Sequence, residues 1–300
     1  MKTDLHLFDG RQSIQVIKMS NQQIAIAIKD LNVSNISFVV GQTKAGRNPP
    51  INLKYGNRNL LIGLPKMRFP AGVLMRESEK GDTSYTMMGS LEGCDPYAKT
   101  RYDGPEAVGL FYNFLLDLDA RIIQEATENS VKWFGKKRSE EVVRDCFKSN
   151  LNPSATKIDG EYVPNGKYPP SYRAKLPVFD NNVTCPIEDN LKNPVYVKPE
   201  SLQVVFPKNI EAGLVLSGQI YVLAGGGFGV TWKVQGAQVF PQAREKVTDF
   251  FQVVPTAAEE EVVEETPSEV PETPSNSQAE SAAQQPPGAP GRKRRVAPAS

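Results

Sequence analysis

The stretch GLVLSGQIYVLAGGGFGVTWKVQGAQVF, residues 213–240, decides the fold. Apolar residues alternate along both halves, so that Phe228, Val230, Trp232 and Val234 fall on one face of the second half while Lys233 falls on the other. We expect the Trp232 side chain to lie in the core and the Lys233 side chain to lie on the outer face. The glycines between the halves predict a tight hairpin or bulge rather than a phosphate loop, because a strand follows them where a phosphate loop requires a helix N-terminus. The stretch therefore predicts two long neighbouring strands, at 213–223 and 228–240.

The rest of the body has the same strand character, with helices in the middle of the chain. Strand patterns occur in an opening hairpin near residues 12–29 and at 31–40, 59–64, 71–76, 84–88 and 202–206. Apolar residues recur at helical spacing from about Pro105 to Asn129, and a second helix begins at the capping residue Ser139 and buries Val142, Val143, Cys146 and Phe147. The predicted fold class is mainly β (α+β), a β-barrel body of residues 1–254 with a helical insertion at about 104–150.

Residues 255–300 form a tail that is predicted not to fold. They are rich in Pro, Glu, Ser, Ala and Gln and have no aromatic residue, so they cannot bury enough surface to offset the entropy of ordering. The tail holds eight Glu and four basic residues, a net −4, which leaves about +5 on the body. Its basic cluster predicts a nuclear localisation signal, with extra phosphate contacts or a solubilising terminus as alternatives; the cluster is Arg292, Lys293, Arg294 and Arg295.

Several classes of function are disfavoured by what the sequence contains. His6 is the only histidine, which leaves no other residue of the usual general-base type. Cys94, Cys146 and Cys185 are scattered and predict free thiols of an intracellular protein, neither a disulfide framework nor a zinc site. The charge-free run 212–232 alternates like buried strands, so no membrane span is expected. We expect no catalysis, no metal and no cofactor.

Three basic segments that also carry aromatic residues point to nucleic acid. Residues 31–76 contain seven basic residues and no acidic one. Residues 132–138 place four cations around Trp133 and Phe134, and residues 167–175 form a proline-stiffened basic stretch. Cations displace counterions from phosphates and aromatic rings stack on unpaired bases. The alternative for each segment is ordinary packing: a solvated loop, rings packed under the helices, or a loop across the barrel.

The order of four motifs resembles a known family. LPKMRFPAGV (64–73), NSVKWFGKKRSEEVV (129–143), YPPSYRAKLP (168–177) and FGVTWKV (228–234) resemble the single-stranded DNA-binding proteins of the nucleocytoplasmic large DNA viruses. The resemblance covers roughly residues 50–240. It implies an OB-fold-like barrel that coats replication or recombination intermediates without strong sequence preference. It also implies DNA contacts at Lys66 and Arg68, at 132–138 and 172–175, and at Lys233.

The sequence thus predicts a non-catalytic protein that binds single-stranded DNA, with RNA as an alternative ligand, in the host nucleus or at a viral replication site. The tail would recruit replication or recombination proteins or compete for the basic groove; homo-oligomerisation stays open. A viral structural or assembly protein is the alternative class, and a recombination accessory is the third. The predicted contact residues are Lys44, Arg47, Lys54, Tyr55, Arg58, Lys66, Arg68, Phe69, Lys132, Trp133, Lys136, Lys137, Arg138, Tyr172, Arg173, Lys175 and Lys233.

Overall fold

A long β-hairpin forms the centre of the structure, a computed structural model that describes residues 25–42, 48–79 and 81–241. Its strands are β16 (Ile210–Val222) and β17 (Phe228–Phe240), paired antiparallel along most of their length. The turn closes with hydrogen bonds from Leu223 N to Gly227 O and from Gly226 N to Leu223 O, and Gly226 has a φ of 90°. A positive φ of this size favours glycine, which explains the glycine at position 226. The predicted hairpin is confirmed.

The N-terminal third of the described chain adds strands along β16. These strands are β1 (Ile26–Ala27), β2 (Ile36–Val40), β3 (Ile51–Tyr55), β4 (Arg58–Asn59), β5 (Leu61–Gly63) and β6 (Met67–Phe69). Strands β3, β5 and β6 each pair antiparallel with β16; β2 and β4 pair with β3, and β1 pairs with β5. Five of these six strands, β2 to β6, lie within residues 31–76, which we call the acid-free segment.

Strand β17 has different partners, which complete the sheet on its other side. Strands β9 (Phe147–Lys148), β12 (Ser171–Leu176) and β15 (Ile187–Glu188) run parallel to it in succession. Strand β8 (Thr83–Ser90) pairs antiparallel with β12, and β7 (Val73–Glu77) pairs with β8. Strand β6 also packs close to β8, although no ladder joins these two within the described residues. The circuit β6–β16–β17–β12–β8 is thus a five-stranded, partly open barrel, the OB-like arrangement that was predicted.

Three helices lie between β8 and β9: the two that the apolar spacing predicts and a short one between them, in residues predicted as a connection. They are α1 (Ala107–Glu128), α2 (Ser130–Phe134) and α3 (Glu140–Cys146). The buried stripe of α1 includes Phe111, Leu118 and Ile122, and the Ser139 hydroxyl accepts a hydrogen bond from Val142 N at the start of α3. Val143 is buried, but the prediction was wrong for Val142, which is exposed because α3 covers the core with one narrow face only.

Two other sequence predictions differ from the structure. Residues 202–206 were predicted as a strand but form α4 (Leu202–Val205), which follows a 3₁₀ helix at Pro199–Ser201. Leu202 and Phe206 are both buried and lie four residues apart, the spacing of one helical face. In the stretch 31–40 the strand begins only at Ile36, because the Asn32 side chain caps a 3₁₀ turn by accepting from Ser34 N. Of the opening hairpin, residues 12–24 lie outside the described residues.

The remaining strands form two small hairpins, β10 (Ala155–Ile158) with β11 (Glu161–Pro164) and β13 (Val178–Phe179) with β14 (Asn182–Val183). All three cysteines carry free thiols, and burial raises the pKa of Cys94 and of Cys185 to about 11. Among the described residues, no helix has the length and apolar character needed to cross a membrane. This part of the chain also holds no cluster of three His, Cys, Asp or Glu side chains arranged for a metal ion.

Candidate nucleic-acid interface

An opening in the sheet lies near the start of β17. Strand β9 pairs with β17 at Phe228 and Gly229, and β12 pairs with it only from Trp232 onward, so a gap remains beside Val230 and Thr231. The gap has a volume of about 160 Å³. We call it the basic notch; it is lined by Lys148, Ser149, Asn150, Asn152, Arg173, Lys175, Tyr221, Val230, Thr231 and Trp232.

Four exposed cations lie in or next to the basic notch. Lys148 ends β9, Arg173 and Lys175 alternate outward on β12, and Lys233 of β17 pairs directly with Lys175. Among the described residues, none of these four side chains has a carboxylate within 4.0 Å. Like charges on directly paired positions destabilise a sheet. The face therefore carries a positive potential that an anionic ligand would neutralise.

Tyr221 brings an aromatic ring to the cations. It pairs with Gly229 across the hairpin, and a side chain at that glycine would begin 3.0 Å from the Tyr221 hydroxyl and 3.0 Å from the Lys148 carbonyl oxygen. The absence of a side chain at Gly229 thus leaves room for the hydroxyl beside Lys148. Tyr221 is half-buried, and this desolvation raises its pKa. The phenol stays neutral at physiological pH, so it adds no negative charge to the cationic face.

A buried polar network fixes the loop that borders the notch. The Asp119 carboxylate of α1 accepts hydrogen bonds from Ser149 Oγ at 2.6 Å and from Asn150 N at 3.2 Å. Asn150 Oδ1 in turn accepts a hydrogen bond from Trp232 Nε1 at 2.7 Å. Burial raises the pKa of Asp119 to about 6, although these hydrogen bonds oppose the shift. The loop is therefore held from the helix on one side and from the sheet on the other.

A row of amide side chains links the acid-free segment to the notch. Gln219 Nε2 donates to Asn52 Oδ1 at 2.8 Å, and Gln219 pairs with Thr231, which lines the notch. Lys54 lies two residues after Asn52 on β3, so it shares the outer face of that strand. The outer face therefore carries hydrogen-bonding groups from β3 to β17, with cations on both sides of them.

The predicted cluster at 132–138 lies near the turn of the central hairpin. The Arg138 guanidinium donates to Gly226 O at 2.9 Å and lies 4.0 Å from the centroid of the Phe134 ring. Arg138 is thus engaged inside the protein and joins the loop to the turn. Lys132, Lys136 and Lys137 are exposed. Because the same turn leads into the segment of β17 that pairs with Lys148, these lysines extend the basic face toward the turn.

The structure buries three aromatic residues that were predicted to contact bases, so the prediction was wrong for these three. Phe69 and Tyr172 have no exposed surface, and Trp133 is 3% exposed. Trp133 packs against Phe38, Phe134 and Phe228, whereas Tyr172 contacts Phe69 and Phe111 edge to face. The Tyr172 ring also lies over Gly89, where an added Cβ would meet it at 2.3 Å. Their rings hold the core together and are not available to stack on a ligand.

Other predicted contacts lie away from the notch. Lys66 Nζ is 2.8 Å from Glu211 Oε2, and Arg68 contacts Asn209 at 2.9 Å and Glu92 at 3.6 Å, all at the far end of β16. The Tyr55 hydroxyl accepts a hydrogen bond from Asn35, and Arg58 is exposed on β4. Lys44, Arg47 and the tail cluster at 292–295 lie outside the described residues, so their predicted roles stay predictions.

Sequence reasoning missed Lys148 and Tyr221. The alternation in 213–223 places Tyr221 on the same face as Gln219 and could have identified it. Lys148 belongs to a two-residue strand directly after α3, and a strand of that length has no periodicity to detect.

Comparison with known proteins gives one family match and several similar solved structures. Residues 111–165 match a family described as Family of unknown function (DUF5871). The chain is similar to gp2.5, a single-stranded DNA-binding protein encoded by bacteriophage T7, with 9% identity over 67% of this chain and 98% of that chain and a TM-score of 0.35. It is also similar to the single-stranded DNA-binding protein from bacteriophage Enc34, with 10% identity over 72% of this chain and 99% of that chain and a TM-score of 0.34. No curated protein matches the chain.

Proposed function

We propose that the protein binds single-stranded DNA across the outer face of its central strands, without catalysis and without strong sequence preference. One observation carries the proposal: a notch that contains the Tyr221 ring has four cations in it or next to it, and none of them has a carboxylate partner in the part of the chain that the structure describes. The four are Lys148, Arg173, Lys175 and Lys233. Cations of this kind displace counterions from phosphates, and a tyrosine ring stacks on any base because every base has a flat face.

The shape of the notch favours single strands over a duplex. An opening of about 160 Å³ between two strands admits one flat group, and a base can enter it only when it is unpaired. The neighbouring amides of Asn52 and Gln219 bond to each other, which leaves each of them fewer hydrogen-bonding groups for reading a particular base. The same chemistry would accept RNA, which remains the alternative ligand.

The biological setting belongs to the same proposal and rests on the motif resemblance. We propose that the protein acts on replication or recombination intermediates of a large DNA virus, in the host nucleus or at a viral replication site. The glutamate-rich tail would recruit basic replication or recombination proteins, or occupy the cationic face when nucleic acid is absent, because its net charge of −4 complements that face. Nuclear entry would use Arg292–Arg295.

The test is salt-dependent binding of a labelled oligothymidylate, measured by fluorescence anisotropy. Wild-type affinity should fall linearly with the logarithm of salt concentration, with a slope of about −0.7 per phosphate neutralised. The triple variant Arg173→Gln, Lys175→Gln, Lys233→Gln should bind more weakly, and its slope should be shallower by about 2.

The matched control removes the same charge from exposed lysines elsewhere, at Lys99, Lys192 and Lys208. This control should keep most of the affinity and the full slope. Equal losses in the two triple variants would show a net-charge effect and would contradict a site at the notch. Absence of wild-type binding at low salt would end the proposal.

A further inference from the structure

A second concavity lies on the outer side of β8 and β12. It has a volume of about 580 Å³, and its walls are mainly apolar: Pro70, Met88, Pro153, Tyr168 and Pro169 contribute to them. Arg68 and Glu92 also line it, and they lie 3.6 Å apart as an ion pair. We call this concavity the apolar groove. Tyr221 lines the basic notch but is not among the residues that line this groove.

The apolar groove is continuous with the basic notch. Asn152 lines both of them. Ser171, Arg173 and Lys175 alternate outward along β12, with Ser171 in the groove and the two cations in the notch. At about 3.4 Å per strand residue, the groove begins within about 7 Å of Arg173 along the strand. A flexible chain lying on Arg173 therefore reaches the groove without crossing the edge of the sheet.

The groove presents an exposed aromatic ring on a restrained backbone. Tyr168 is 60% exposed, and Lys167 Nζ lies 5.3 Å from the centroid of its ring. The backbone N–H of Tyr168 donates to Ser154 Oγ at 3.1 Å, and Ser154 Oγ donates to Asn165 Oδ1 at 2.7 Å. Pro169 and Pro170 follow directly and restrict the backbone. The backbone that carries the ring therefore loses little conformational entropy when a flat ligand stacks on the ring.

We propose that the apolar groove is a second subsite for the same single strand, which takes unpaired bases adjacent to the nucleotide in the notch. Tyr168 stacks on a base, and Lys167 neutralises a phosphate beside it. The inference rests on the proposed function, because continuity with the cationic notch is what selects a nucleic acid over an apolar peptide as the occupant. The subsite makes the binding site longer on the β8 side of the notch.

The experiment compares oligothymidylates of increasing length, from about 4 to about 16 nucleotides, the range that single OB folds cover. The full-length wild type is measured beside Tyr168→Ala and a matched control, Tyr196→Ala, which removes a tyrosine that is 94% exposed and lies outside both openings. Tyr168→Ala should weaken binding of the longest oligonucleotide by about 5- to 150-fold and leave the shortest unchanged. Tyr168→Phe should bind like the wild type, since it keeps the ring.

Other outcomes of this experiment would contradict either the subsite alone or both the subsite and the proposed function. If Tyr168→Ala and Tyr196→Ala behave alike on every length while the Arg173, Lys175, Lys233 triple variant loses affinity, the groove is not a subsite and the proposed function stands. An equal loss on the shortest and longest oligonucleotides would show damage to the notch and overturn the separate subsite. If the wild type binds no oligonucleotide at low salt, both proposals fail.

Discussion

The indole N–H of Trp232 donates a 2.7 Å hydrogen bond to the side-chain oxygen of Asn150, deep beneath the outer face of the sheet. Trp232 lies on the core face of β17, and Asn150 belongs to the loop that borders the basic notch. The bond therefore couples the packing of the barrel to the shape of the proposed binding surface. Lys175 and Lys233 gain fixed positions from the same strands, although their charges repel each other.

Removing this bond should reduce both stability and binding. Trp232→Phe leaves Asn150 Oδ1 buried without its donor, which costs about 1–3 kcal/mol in the free energy of unfolding, in addition to lost packing. We expect a lower urea midpoint and weaker oligonucleotide binding. If the variant is destabilised but binds with wild-type affinity under conditions where it is folded, the loop does not depend on Trp232 for its position.

Asp119 should make stability depend on pH. Its folded pKa of about 6 lies above the unfolded value of about 3.8, so the folded protein holds the proton more tightly. The free energy of unfolding should therefore fall as pH rises from about 4 to about 6 and then level off. In Asp119→Asn this contribution is absent. Urea titrations of both proteins across this pH range would show it, and parallel pH profiles would contradict the raised pKa.

Trp133 should matter for folding and not for stacking. Trp133→Ala removes a ring packed on Phe38, Phe134 and Phe228 and should cost about 3–5 kcal/mol in the free energy of unfolding. Val131→Ala, at a neighbouring position that is 62% exposed, should change it by less than about 0.5 kcal/mol. If Trp133→Ala is as stable as the wild type but binds DNA more weakly, Trp133 belongs to the binding surface.

Tyr221 should contribute through its ring. Tyr221→Ala should lose about 1–3 kcal/mol of binding free energy if the ring stacks on a base, whereas Tyr221→Phe should keep most of the affinity. Anisotropy titrations with oligothymidylate, together with thermal unfolding of each variant, separate binding from stability. A large loss in the Phe variant would instead assign the role to the hydroxyl beside Lys148.

The tail should compete with nucleic acid. Deleting residues 255–300 removes eight glutamates and should tighten oligonucleotide binding, most clearly at low salt where charges are least screened. Replacing the eight glutamates by glutamine in the full-length chain should have the same effect while keeping Arg292–Arg295. Unchanged or weaker affinity in both variants would argue that the tail does not occupy the cationic face.

The elements that sequence patterns predicted well are long and strongly periodic. The strands at 210–222 and 228–240 and the helix at 107–128 repeat a two- or four-residue spacing often enough to fix both type and face. Residues 202–206 offered only one turn of pattern, and two buried positions four apart fit a short helix as well as a strand. Because the strand at 228–240 is long, its alternation also assigned Trp232 to the core face and Lys233 to the outer face.

The sequence predicted the charged residues of the candidate site well and its aromatic residues less well. Arg173, Lys175 and Lys233 could be placed outward because a charged side chain rarely enters a core unpaired. Tyr172 and Trp133 lie among the same cations in sequence, yet alternation and helix packing turn them inward. The notch itself could not be predicted, because it depends on where β9 ends and β12 begins along β17, a register that only tertiary pairing sets.

The central hairpin has a consequence for the order of synthesis. Strands β16 and β17 occupy residues 210–240, whereas their partners β3, β5, β6, β9, β12 and β15 all come earlier in the chain. During translation those partners leave the ribosome before the two strands that join them exist. The complete sheet can therefore assemble only after residue 240 has emerged, and nascent chains that stop before residue 210 expose the strand edges that β16 and β17 later pair.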